Sequence, residues 1–180
     1  MNILGLSGKR GVGKTALANH LVKNCGFIRV GFADSLKNIA RLFFPFTPRD
    51  MTDPTRKESP YGEYEWSPRD FHIRLGEFAR FHDPDFWLKK GLAMLDRPDS
   101  WYVFDDLRFK NEASTLAAVG AKIVRIERYE SENPYGKNLD IPSETDLDDY
   151  PDFDYKIESC RNTNLHTLHC HTEEIIKLWK

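Results

Sequence analysis

Two hydrophobic periods take turns along this chain. NILGLS (Asn2 to Ser7) is a short apolar run bounded by glycine, the pattern of a strand buried on both faces. KTALANHLVKN follows, with Leu17, Ala18, Leu21 and Val22 at helical spacing. FIRVGFA (27–33) predicts a second strand. DSLKNIARLFF predicts a helix capped by Asp34 or Ser35, with Leu36, Ile39, Ala40 and Phe43 on one face. Residues 45–68 hold five prolines and many turn formers, so they predict a long irregular excursion. SPRDFHIRLGEFARF restarts a helix, with Ser67 as N-cap and Pro68 in the first helical position. DPDFWLKKGLAML (83–95) predicts another helix. WYVF (101–104) reads as a third strand, LRFKNEASTLAAVG as a helix stopped by Gly120, and AKIVRIER (121–128) as a fourth strand. A second excursion over 129–151 leads to a fifth strand, FDYKIES, and a closing helix, TEEIIKLWK. Strands alternating with helices imply a parallel sheet with right-handed crossovers.

The turn between the first strand and first helix carries G-x-x-x-x-G-K-[ST], with Gly8, Gly13, Lys14 and Thr15 at the fixed positions. Strand, glycine loop and helix form the context this motif requires. Glycines let backbone N–H groups approach phosphate oxygens without a Cβ in the way, and the helix start adds partial positive charge. Lys14 can reach the β- and γ-phosphates, and the Thr15 hydroxyl can ligate Mg²⁺. A nucleoside triphosphate is the expected ligand.

The third strand ends in Asp105 and Asp106. An acid at the tip of an apolar strand can hold Mg²⁺ through water; it can equally cap the following helix. Two irregular excursions on such a core suit a small-molecule kinase, with one covering the phosphate acceptor and one closing as a lid. Closure excludes water and suppresses idle ATP hydrolysis.

Composition changes this picture little. A chain of 180 residues, 40% hydrophobic and 30% charged, suits one domain of ordinary soluble make-up. A net charge of −2 implies no bulk affinity for nucleic acid or anionic membrane. The distribution is uneven: residues 1–47 hold seven Lys/Arg and one acid, whereas 140–154 hold seven acids and no base. The acidic run reads as a solvated loop. Cys25, Cys160 and Cys170 show no paired spacing, and no signal peptide or apolar run of about 18 residues is present, so a cytoplasmic protein with reduced thiols is expected. His166, His169, Cys170 and His171 are too irregularly spaced to predict a zinc site.

Several stretches, in order over most of the chain, resemble the phage-type deoxynucleoside monophosphate kinases. They are GFADSLK, SPRDFHIRLGEFARFHDPDFW, DDLRFKNEA and IERYESENPYGKNLDIPSE. The resemblance implies a P-loop NTPase fold, a three-layer α/β/α arrangement on a five-stranded parallel sheet of nucleoside monophosphate kinase-like type. The core would be 1–44, 101–128 and 153–180, with an acceptor-binding helical insertion at 45–100 and a lid at 129–152. It implies ATP and Mg²⁺, and a deoxynucleoside monophosphate as acceptor. Gly8, Lys9, Arg10, Gly11, Val12, Gly13, Lys14, Thr15 and Ala16 would hold the ATP phosphates, and Asn162 in RNTNLH would flank the adenine. Asp34 would sit beside the acceptor phosphate, with Lys37, Trp66, Arg69, Arg74, Arg80, Trp87, Asp106, Arg108 and Glu112 around the acceptor. Thr15 and Asp106 would serve the metal. Lys14, Asp34, Arg108 and Arg128 would be catalytic, with Arg125 or Arg128 closing from the lid and Ser143 and Glu144 at its far hinge. Location would be cytoplasmic (a host's cytoplasm if the gene is a phage's), and a homodimer is allowed.

The chain departs from the family at His72 and Ile73, where Leu-Gln is common, and at Glu77, where Thr is common. The altered helix is where the acceptor nucleotide should be read, so the preferred base stays open. Tyr61, Tyr64, Trp66, Phe71 and Trp87 crowd the insertion; they could stack a base or form a small core. Two other functions fit part of the pattern. One is a P-loop kinase acting on another phosphorylated acceptor, such as dephospho-coenzyme A. The other is a nucleotide-binding switch, but the Asn-Lys-x-Asp motif of guanine recognition is missing from the sequence.

Overall fold

The computed structural model describes residues 1–53, 55–128, 141–159 and 165–179, with their side chains apart from 128, 159 and 165–170. Five strands, β1 (Asn2–Ser7), β2 (Ile28–Val30), β3 (Trp101–Phe104), β4 (Lys122–Arg128) and β5 (Tyr155–Ser159), form one sheet in the order β2-β3-β1-β4-β5. Every pairing is parallel. The chain is an α/β protein of the P-loop class, with the glycine loop leaving the central strand.

Alternation along β1 sorts the layers. Leu4 and Leu6 face a core built with Leu17, Ala18 and Leu21 of α1 (Lys14–Cys25), Val103, Val124, Ile126, Ile157, and Ile175 of α8 (Leu165–Lys177). Ile3, Gly5 and Ser7 lie on the opposite face. A Cβ on Gly5 would come within 3.1 Å of Ile123 and Leu107 and 3.4 Å of Leu116, the last a residue of α6 (Lys110–Ala118). Both faces of β1 are therefore covered, which is why NILGLS reads as continuous rather than alternating.

The chain divides into two compact units: 1–30 with 95–180, and 31–94. This moves a boundary. The sequence reading kept the second helix with the core, but α2 (Phe32–Phe43) belongs to the inserted unit, where it packs on α4 (Pro68–His82) and α5 (Phe86–Leu92). The predicted second strand is also shorter, ending at Val30, because Phe32 and Ala33 join the helix. Gly31, not Asp34 or Ser35, precedes the helix; Asp34 sits inside the first turn with its N–H on Gly31 O at 3.1 Å. An acid there complements the helix dipole as well as an N-cap would.

The predicted excursion at 45–68 is not structureless. It contains α3 (Pro48–Thr52) and a 3₁₀ turn at Arg56–Glu58. Reciprocal capping boxes start α3 (Thr47 with Asp50) and α4 (Ser67 with Asp70), each with a proline at the helix start. Rings fill the rest. Phe44 and Tyr64 each lie 4.7 Å from Trp66, Phe46 lies 4.7 Å from Tyr61, and Phe44 lies 5.0 Å from Phe71.

Candidate active site

The glycine loop adopts backbone that side chains resist. Gly8 has φ 143°, and a Cβ there would stand 2.4 Å from Ile126 O. Gly13, at φ 109°, caps α1 with backbone alone, so no side chain covers the first-turn N–H groups. Thr15 is exposed on that first turn, and Val12 turns inward at 6% exposure.

Lys14 is buried at 7% and donates from Nζ to Gly8 O (2.7 Å) and Lys9 O (2.8 Å). Its ammonium thus lies across the mouth of the loop. Burial first, then the Arg108 guanidinium, pushes its pKa well below the ordinary lysine value, with Arg125 adding to the fall. The carboxylates of Glu144 and Asp105 pull it back up. Four charged groups therefore converge on one lysine: Asp105 and Arg108 from the segment after β3, Arg125 from β4, and Glu144 from the short helix at Pro142–Thr145.

Asp105 follows β3 directly and is 4% exposed. Its Oδ1 stands 2.8 Å from Arg29 Nη2, yet the angle makes no hydrogen bond, so that buried oxygen is paired by charge but lacks a donor. A hydroxyl at Thr15, a half-exposed Asp106 and an under-satisfied Asp105 oxygen are hard oxygen donors of the kind Mg²⁺ takes. The residues present fit that ion.

Arg108 reaches the loop from the other side. Its Nη1 lies 2.9 Å from Glu144 Oε1 and 3.4 Å from both Gly8 O and Ser143 O. Glu112 was expected near the acceptor. It is instead 2% exposed, and its Oε2 accepts from the N–H groups of Arg108 (2.9 Å) and Phe109 (3.1 Å) at the start of α6. Its effect on any ligand runs through the Arg108 backbone.

The acidic run is solvated only in part: Asp148, Asp149 and Asp152 are exposed, whereas Glu144 is buried. Residues 142–149 lie against the basic N-terminal loop. Glu144, on the one-turn helix α7 (Pro142–Thr145), is 5% exposed and accepts the Arg10 N–H at 2.9 Å; Lys9 Nζ donates to its carbonyl at 2.7 Å. Asp148 pairs with Lys9 and, at 2.8 Å, with Arg125 Nη2; Asp146 accepts the Lys110 N–H at 2.7 Å. One ion pair, Lys9 with Asp148, and the Arg10 N–H on Glu144 join the basic and acidic stretches noticed in the sequence, contacts that local pattern could not reveal. Arg125 is therefore not a lid arginine: it is a buried β4 residue bound to Asp148 and, at 3.2 Å, to Ser7 Oγ.

The other expected acceptor residues lie in the inserted unit. Lys37 Nζ is 3.2 Å from Asp34 Oδ1, and Arg69 is 3.7 Å from Glu58. Arg80 Nη1 lies 3.4 Å from where a Gly76 Cβ would be, and Arg74 is exposed. Trp66 is half-buried among the rings. Trp87 is core, 2% exposed, its Nε1 donating to Gly76 O at 3.1 Å, so its ring is not offered to a ligand. Asn162 and the side chains of Arg128, His166, His169 and Cys170 lie outside what the structure describes. Among the described residues no cluster of three or more His, Cys, Asp and Glu could hold a metal, and no helix is long and apolar enough to cross a membrane.

This arrangement has known counterparts. No family model matches the chain. A protein of Acanthamoeba polyphaga mimivirus, provisionally named a deoxynucleotide monophosphate kinase, is 27% identical over 145 residues, covering 71% of this chain and 75% of that protein. Among solved structures, a dephospho-CoA kinase from Campylobacter jejuni superposes with a TM-score of 0.54 at 12% identity, covering 98% of this chain and 96% of the other. A gluconokinase from Sinorhizobium meliloti reaches 0.48 at 15% identity, covering 99% and 95%. The Campylobacter match shows that the chain shares the fold of that structure.

Proposed function

We propose that this protein is an ATP- and Mg²⁺-dependent kinase that converts deoxynucleoside monophosphates to diphosphates. The observation that carries the reading is the convergence on one glycine loop of Lys14, Arg108 and an uncapped helix start, beside an under-satisfied carboxylate at the β3 tip. Such a set neutralises charge on a transferring phosphoryl group, which is most of what phosphoryl transfer requires. The acceptor class rests on the resemblance and on the viral relative.

In this reading the loop N–H groups and Lys14 bind the β- and γ-phosphates. Arg108 meets charge that builds up during transfer. Thr15 with Asp106, joined by Asp105, would hold Mg²⁺, which supplies charge neutralisation of the phosphate oxygens. Lys37, Arg69, Arg74 and Arg80 would bind the monophosphate, with Asp34 beside the acceptor oxygen and Trp66 near its base. Arg128 would approach the transferring group, and Asn162 the adenine.

The test is ADP release measured with each deoxynucleoside monophosphate, each ribonucleotide counterpart, dephospho-coenzyme A, and no acceptor. Turnover dependent on a deoxynucleoside monophosphate is expected. Turnover confined to dephospho-coenzyme A would overturn the acceptor, and equal turnover without acceptor would overturn the kinase.

A further inference from the structure

The polar contacts of Arg108 are lopsided. Among the described residues all those made by its side chain run through Nη1, to the carboxylate of Glu144 and to the carbonyls of Gly8 and Ser143. The edge formed by Nη2 and Nε, the fork that takes two oxygens of one phosphate, keeps its donors for something else. Glu144 is the group that imposes this. It is 5% exposed, its Oε1 holds Arg108 at 2.9 Å, and its Oε2 holds the Arg10 N–H of the glycine loop at 2.9 Å. One carboxylate thus ties the arginine to the loop. It is itself held in place by Lys9 Nζ on its carbonyl, by its own N–H on Ile141 O at 2.8 Å, and by the Asp146 and Asp148 contacts that follow.

We propose that Glu144 is a positioning residue for phosphoryl transfer, fixing one edge of Arg108 against the glycine loop so that the other edge meets the transferring group. This rests on the kinase reading above. A solvated acid would not be buried, and an ion pair serving stability alone would not need to bridge the loop backbone and the arginine beside Lys14. Arg108 and Lys14 share the Gly8 carbonyl, and the Glu144 carboxylate offsets the repulsion between these two neighbouring cations.

Steady-state kinetics of wild type, Glu144→Gln, Arg108→Ala and the double variant test it, with thermal melts of each. Glu144→Gln keeps the shape and an acceptor oxygen but removes the charge. Its kcat is expected to fall about tenfold or more while KM for ATP stays within about threefold, so kcat and kcat/KM fall together. Because Glu144 acts through Arg108, the double variant should be no slower than Arg108→Ala within about twofold. Glu144→Asp, which keeps the charge with a shorter reach, should recover part of the loss. Wild-type kcat in Glu144→Gln, or losses that multiply in the double variant, would overturn the proposal. If Glu144→Gln does not fold, the same cycle run with Glu144→Asp decides on the same criterion. A wild type inert with every acceptor would overturn the kinase reading and this inference with it, a result distinct from an active wild type indifferent to Glu144.

Discussion

The surroundings of the glycine loop and the inserted unit are fixed by different contacts. Around the glycine loop the fixed points are hydrogen bonds and ion pairs between residues far apart in sequence, such as Arg10 with Glu144 and Arg125 with Asp148. In the inserted unit the fixed points are rings: Phe44, Phe46, Tyr61, Tyr64, Trp66 and Phe71 pack on one another, and Trp87 ties α5 to α4. Polar contacts set atoms within a few tenths of an ångström, as charge neutralisation needs. Ring packing sets a shape, which suits discrimination between acceptors and leaves their identity harder to read.

If that division holds, the largest effect belongs to Lys14. Lys14→Ala should cut phosphoryl transfer about a thousandfold or more, with the melting temperature little changed, since a buried charge is removed along with its contacts. Near-normal turnover would show that the polar convergence around the loop is not the transfer site. Next come the strand-tip acids. Asp106→Asn should lower Mg²⁺-dependent activity, and Asp105→Asn should lower stability as well, because it also breaks the ion pair with Arg29. Measuring kcat against Mg²⁺ concentration alongside thermal melts separates the two.

The inserted unit should answer in stability first. Trp87→Ala should cost about 3–5 kcal/mol by urea denaturation, through a cavity and the loss of the indole hydrogen bond to Gly76 O. It should weaken the acceptor more than ATP; equal weakening of both would dissolve the division. Deoxynucleotides should surpass their ribonucleotide counterparts in kcat/KM by about tenfold to a hundredfold, because a ring packed at the sugar edge leaves an added hydroxyl crowded and unpaired. Equal rates would remove the deoxy preference and leave the kinase.

The smallest effect is a pH dependence of stability. Burial, foremost, together with Lys37, Lys57 and Arg69, holds His72 below its ordinary value of 6.5, although its Nδ1 hydrogen bond to Pro68 O pulls the other way. The unfolded chain then binds the proton more readily than the folded one. Stability is full above about pH 6.5 and falls as pH drops through the folded value. Urea midpoints between pH 8 and about 5 should show that slope, and His72→Gln should flatten it.

Elements with a strong local pattern were legible from the sequence. β1, the glycine loop, α1 and the Ser67–Asp70 start of α4 each carry their own punctuation, and the all-parallel sheet follows from alternation. The acidic run was misread in part, because burial of Glu144 depends on a partner 134 residues away, at Arg10. Arg125 was misplaced for the same reason: as a strand residue it answers to Asp148 and Ser7, which no local spacing connects. Trp87 shows the opposite limit, since a ring at a plausible ligand position and a ring in a core look alike until packing is known.

The strand order also bears on synthesis. β1, at the centre of the sheet, has neighbours that begin pairing at Trp101 and Lys122, about a hundred residues later. At about 5–20 residues per second, its apolar run waits roughly 5–20 s on the ribosome for a partner. Residues 31–94, by contrast, form a contiguous unit whose contacts are short in sequence. The nascent chain therefore completes its later-encoded insertion before its earlier-encoded centre. During that interval the NILGLS segment lacks both of its strand partners.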